Sequence, residues 1–154
     1  MNEGGTMAGR RRATVTEAMG QLPGSGGERF AEVLEHGSME VEIYAPRGTD
    51  PQTPHTRDEV YVVVSGNGTF VNGQDRHPFG PGDVLFVPAG VEHRFEDFTD
   101  DLVVWVVFYG PEGGGLNDFV PARLPAIGER LQGQAVADTA WYSIRADRVR
   151  HRPG

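Results

Sequence analysis

Between Phe30 and Tyr109 the chain is a succession of short β-branched and aromatic runs, each closed by glycine, proline or asparagine. Such spacing leaves no room for long helices and commits this region to antiparallel strands in a sandwich or jelly roll. Met39, Val41 and Ile43 alternate with Glu40 and Glu42, the period of two expected of a half-buried strand. Glu59–Val64, Gly68–Val71, Asp83–Val87 and Leu102–Tyr109 are further candidate strands. Asn72-Gly73 is a strong signal for a type I′ hairpin turn, and Pro81-Gly82 and Pro88-Ala89-Gly90 mark two more turns. Upstream, Thr14 and Glu17 have capping-box spacing, which predicts a short helix over Glu17–Leu22, stopped by Pro23 and the glycines after it.

The expected organisation is a disordered Gly- and Arg-rich tail over 1–13, a β domain over 14–115 and a C-terminal extension over 116–154 without a clean hydrophobic period. Val60–Val64 and Val103–Phe108 are apolar at both parities, and such strands are normally covered on both faces. In a small domain the second face needs another subunit, so a homodimer is expected.

Composition closes most covalent chemistry. The chain has no cysteine, and its 14 basic residues are all arginine. Disulfides, thiolate catalysis, cysteine-ligated metals, Schiff bases and the P-loop lysine are all excluded. None of the serines sits in a Gly-x-Ser-x-Gly elbow. Residues 13–144 carry 7 Arg against 20 Asp plus Glu, a balance of -13, and an acidic body repels a phosphate backbone. No nucleic-acid partner is therefore expected. The longest uninterrupted apolar run, Leu102–Tyr109, is far short of the roughly 20 residues that span a bilayer. The arginines near the start precede no apolar core, so neither a membrane partner nor a secretory leader is expected, and a cytoplasmic location is the default.

Histidine, carboxylate and metal chemistry remain. The informative residues form two clusters, His55 with Glu59, and Gly82 through His93 to Asp97. Two imidazoles and a carboxylate arriving from neighbouring strands suit a divalent metal. His55 and Glu59 share strand parity, and the tight turn before His93 aims it back toward them. Around them, Thr53 and Gln52 are candidate pocket residues: Thr53 to hydrogen-bond a metal-bound water, Gln52 to offer a weak amide oxygen. Arg57 is a candidate clamp for a substrate carboxylate, against the alternative of a paired or solvated arginine. Tyr61 shares the inward face and either orients substrate or forms the wall. Asp58 and Glu92 have the opposite parity and should face solvent.

These motifs resemble those of the cupins. His55, three residues, Glu59, six residues and Gly66 match the second half of the first cupin motif. Gly82, Pro88, Gly90 and His93 match the second motif at every spacing, with Asp97 where the family usually has Asn. The similarity covers about residues 38–110 and is to small bacterial cupins. It implies an antiparallel double-stranded β-helix, or jelly-roll barrel, holding one divalent metal ion (Fe, Mn, Ni, Zn or Co) through His55, Glu59 and His93. The family's first histidine falls at Thr53, a poor ligand. The resemblance also implies chemistry on small polar metabolites, as in dioxygenases, isomerases, decarboxylases and lyases. A non-catalytic module binding a small molecule or metal, and a dimerisation scaffold with a vestigial pocket, are the alternatives.

Overall fold

The structure, a computed structural model, describes residues 9–115. Expectations for residues 1–8 and for the extension 116–154 lie outside the described residues. A short helix α1 (Val15–Met19) precedes strands β1 (Phe30–His36), β2 (Met39–Tyr44), β3 (Asp58–Ser65), β4 (Gly68–Asn72), β5 (Asp75–Phe79), β6 (Val84–Val87), β7 (His93–Glu96) and β8 (Val103–Tyr109). The strands form a five-stranded sheet, ordered β1-β2-β8-β3-β6, and a three-stranded sheet, ordered β5-β4-β7. Every pairing is antiparallel, as the jelly-roll expectation requires. Among the described residues no helix is long and apolar enough to cross a membrane.

Local chemistry explains most of the boundaries. Thr14 accepts from the Glu17 backbone, and the Glu17 carboxylate accepts from the Thr14 backbone, so the capping box is formed. The helix therefore starts at Val15 rather than Glu17, and Gly20 caps it before Leu22. The β4–β5 hairpin differs from the expected Asn72-Gly73 turn. Asn72 pairs with Asp75, so the two central residues are Gly73 and Gln74. Gly73 alone has positive φ, 60°, as a type II′ turn requires of its first central residue. The sequence patterns missed β5 and β7. Asp75-Arg76-His77-Pro78 is polar and exposed because β5 is an edge strand, where Pro78 is tolerated.

Between the sheets lies a core that includes Tyr61, Val63, Phe70, Phe79, Val87, Phe95, Leu102, Val104 and Val106. The Tyr61, Phe70 and Phe95 rings meet at tilted and edge-on angles, with centroids 4.9–5.6 Å apart. A second cluster lies on the outer face of the five-stranded sheet, where Val33, Ile43 and Val103 pack against Ala18, Val15, Met19 and Leu22. The β2 alternation therefore runs opposite to the simplest reading. Val41 and Ile43 pack outward beneath the helix segment, and Glu42 lines the inner cavity.

The doubly apolar strands are resolved in the same way. Glu59, Tyr61 and Val63 point inward from β3, whereas Val64 and Trp105 join the outer cluster. Beyond it, Val60 pairs with Phe86 and Val107, and Val62 with Val84 and Trp105, giving an apolar strip across β8, β3 and β6. Val84 is 66% exposed and Phe86 48%, so this part of the face has no cover within the described chain.

Candidate metal centre

Glu59 sits on the inner face of β3, flanked by Val87 of β6 and Phe108 of β8, and is 1% exposed. His55 lies on the segment leading into β3, and His93 opens β7 opposite Asn72. The structure brings all three together, with one donor atom from each lying within 4.8 Å of the others. His55 Nε2 is 2.5 Å from Glu59 Oε2, and His93 Nε2 is 3.2 Å from the same oxygen.

Both imidazoles are aimed by backbone carbonyls. His55 Nδ1 is 2.7 Å from the Arg57 carbonyl, and His93 Nδ1 is 2.8 Å from that of Val91. A carbonyl can only accept, so each Nδ1 carries a proton, and with a cation at the shared centre each Nε2 would offer its lone pair to it. Glu59 Oε1 and His93 Nε2 are buried without a hydrogen-bond partner among the described residues. Orphaned buried polar atoms are costly, and a cation would satisfy both at once. The residues therefore fit a divalent ion. Without one, burial pulls the His93 pKa down, but the Glu59 carboxylate 3.2 Å away and the Val91 carbonyl, with the charge of Asp50, outweigh it and raise the pKa.

The turn carrying His93 is held from the other motif. Asp58 faces away from Glu59 and accepts from Ala89 N at 3.0 Å and Gly115 N at 2.9 Å, while Gly90 N donates to the His55 carbonyl at 2.7 Å. The expectation of a solvent-facing Asp58 is corrected, because its parity points it at two backbone N–H groups, Ala89 of the Pro88-Ala89-Gly90 turn and Gly115 beyond β8. Those two bonds hold its carboxyl below the usual carboxylate range. Glu92 is exposed, as expected. Asp97 has φ of 50°, a left-handed conformation that Asn and Asp tolerate better than most side chains.

A cavity of about 330 Å³ opens over His55 and Glu59 and is walled by Glu42, Gln52, Thr53 and Phe108, among others. Gln52 and Thr53 therefore lie where the motifs put them. Gln52 is not a free ligand, because its Oε1 accepts from the Tyr61 hydroxyl at 2.6 Å and its Nε2 donates to Asp50 at 2.8 Å. Two of the candidate pocket residues are displaced from that role. Tyr61 is fully buried with its hydroxyl spent on Gln52, and burial foremost pushes its pKa up. Arg57 pairs with Glu40 at 2.6 Å, donates to the Ser38 carbonyl and lies over the Phe108 ring, so it is a structural arginine rather than a substrate clamp.

Two residues of the site escaped the motif reading. Asp50 accepts from the Tyr44 hydroxyl at 2.6 Å, Gln52 Nε2 at 2.8 Å and Phe95 N at 2.7 Å, tying the loop before His55 to the strand that carries His93. Its signal is faint, an Asx residue before Pro51. Glu42 is the second. Burial, then the charges of Glu32, Glu40 and Glu59, offset in part by Arg57, push its pKa up to about 7.

Residues 40–109 match the cupin domain family. An uncharacterized protein of Streptomyces coelicolor is 42% identical over 85 residues, covering 54% of this chain and 81% of that protein. The acireductone dioxygenase of Bacillus subtilis is 45% identical over 65 residues, and the match spans 38% of this chain and about a third (36%) of that enzyme. Among solved structures, a cupin 2 conserved barrel domain protein from Salinispora arenicola superposes with a TM-score of 0.51 at 20% identity, over 66% of this chain and 88% of that one. The barrel, the paired motifs and these similarities agree, and residues 40–109 form a cupin domain.

Proposed function

We propose that this cupin binds one divalent metal ion, Fe, Mn, Ni, Zn or Co, through His55, Glu59 and His93, and that a small polar metabolite meets the ion in the cavity above. The observation that carries this reading is the convergence of three donor groups, two of them buried with orphaned atoms, on one point. Two imidazoles and one carboxylate leave coordination positions open, the pattern of sites that do chemistry rather than brace a fold. When bound, the ion would polarise substrate oxygens or, if redox-active, engage dioxygen. The chain's part is to hold the donors, shed water from a cavity lined in part by Phe30, Tyr44 and Phe108, and present Glu42 at its wall. Similarity to acireductone dioxygenase supports an oxygenase, within a class that also includes isomerases and lyases.

Elemental analysis of the purified protein tests this directly. About one ion per chain is expected, lost in a His55→Ala, His93→Ala double variant that still folds. Unchanged metal content in that variant would remove the assignment. A non-catalytic binding module is the second reading, and it rests on Tyr61 and Arg57 being committed elsewhere, which leaves few proton donors at the cavity. Turnover of no small polar metabolite, whether cationic, neutral or anionic, by the metal-loaded protein would favour it.

We also infer that two copies pair through the uncovered strip of Val60, Val62, Val84, Phe86 and Val107. The strip carries no charge, so a chain of net charge -8 meets its copy there without like-charge contact. Sedimentation at micromolar concentration should give a dimer, and Phe86→Arg with Val62→Asp should give a monomer. A monomeric native protein would refute the pairing.

A further inference from the structure

We propose that Glu42 sets the charge selectivity of the cavity, so that the site takes small ligands presenting an ammonium or hydroxyl donor to Glu42 and disfavours those presenting a carboxylate. This rests on the metal-site reading above and deepens it.

The argument is geometric. Glu42 pairs with Val106 across the sheet and lines the same cavity as His55 and Glu59. Its carboxylate makes no hydrogen bond or ion pair among the described residues, so a half-buried acceptor is left for whatever enters. Its charged neighbours are mostly acidic, and Arg57 offsets them only in part. Glu32 lies beside it on β1, Glu40 two residues along on β2, and Glu59 across the cavity on β3. Arg57, the cation nearest this wall, is held by Glu40, the Ser38 carbonyl and the Phe108 ring. Apart from His55, a ligand in the metal-site reading, no basic side chain lines the cavity among the described residues, and the Tyr44 hydroxyl on that wall is already donated to Asp50. A ligand carboxylate beside Glu42 would face an uncompensated anion, whereas a donor would satisfy an acceptor that the fold leaves unpaired. Burial first, and then these acidic neighbours, raise the Glu42 pKa to about 7 in the metal-free protein.

The test uses the full chain loaded with Co(II), whose visible absorption reports ligands entering its coordination sphere. Two catechol probes share one metal-binding head and differ in the group they carry: dopamine bears an ammonium, 3,4-dihydroxyphenylacetate a carboxylate. Under anaerobic conditions at pH 8, where Glu42 is ionised, dopamine should bind about tenfold tighter or more. Glu42→Gln should bring the two affinities to within about threefold while cobalt loading is unchanged. Equal affinities in the native protein, a preference for the acid, no spectral response to either probe, or an undiminished preference in the variant would each overturn the inference. The native ratio alone tests it if the variant does not fold. Failure to load cobalt at all would instead sink the metal-site reading and this inference with it.

Discussion

Replacing Glu59 and His93 together by leucine should make the metal-free protein more stable, although both residues are almost fully buried. The reason is the pair of orphaned atoms, Glu59 Oε1 and His93 Nε2. Each buried polar atom without a partner costs about 1–3 kcal/mol. Exchanging a buried ion pair for apolar residues of similar volume is neutral or stabilising by about 1–4 kcal/mol. The surroundings accept the exchange, since Tyr61 and Phe70 already pack around the His93 ring. Glu59→Leu alone should cost about 1–3 kcal/mol, because it removes the partner of His55 Nε2 and the negative charge beside His93. For a domain of about 100 residues, each kcal/mol moves Tm by about 4–8 °C. The assay is urea or thermal unfolding after chelation, repeated with excess metal. Metal at about a thousandfold over its Kd should add about 4 kcal/mol to the native protein and nothing to the double variant. A double variant as unstable as the sum of its single substitutions would show that these side chains are there for packing. A double variant still stabilised by metal would place the ion elsewhere.

The remaining predictions concern pH, the turn and one close approach. His93 has a raised pKa in the metal-free fold, so its stabilising contribution is fully present below about 6.5 and is lost as pH rises through the folded value. Metal competes for the same nitrogen, so metal release on acidification should begin above pH 6.5 while metal-free stability from this group moves the opposite way, which equilibrium dialysis and melting curves together would check. Asp58→Ala should free the turn that carries His93 and weaken metal affinity by about tenfold, read by competition with a chromophoric chelator. The native Asp58 carboxyl is held low, so its contribution is present above about pH 4 and lost as pH falls through the folded value. Gly66→Ala should destabilise by at least about 1–2 kcal/mol from backbone conformation alone, since Gly66 has φ of 86°. The added Cβ would also stand 2.7 Å from Leu102 Cα, and an unchanged melting temperature would contradict this.

By itself, the sequence determined the β architecture, the capping box at Thr14 and Glu17, and the identity of the three residues that meet at the candidate metal centre. These are short-range properties: side-chain alternation, turn residues and fixed spacings within one or two strands. It did not reveal β5 or β7, whose polar and charged residues satisfy an edge or a short ladder without a hydrophobic signature. Nor did it say which face of β2 is the inside, because alternation fixes that two faces differ but not which neighbour each one meets. Only the tertiary structure decided that Glu42 lines the cavity while Ile43 packs beneath the helix segment. It likewise committed Arg57 to Glu40, Tyr61 to Gln52 and Asp58 to a turn 31 residues away. Those partners are distant in sequence and meet only when the strands pair, so their roles belong to the fold and not to any one segment.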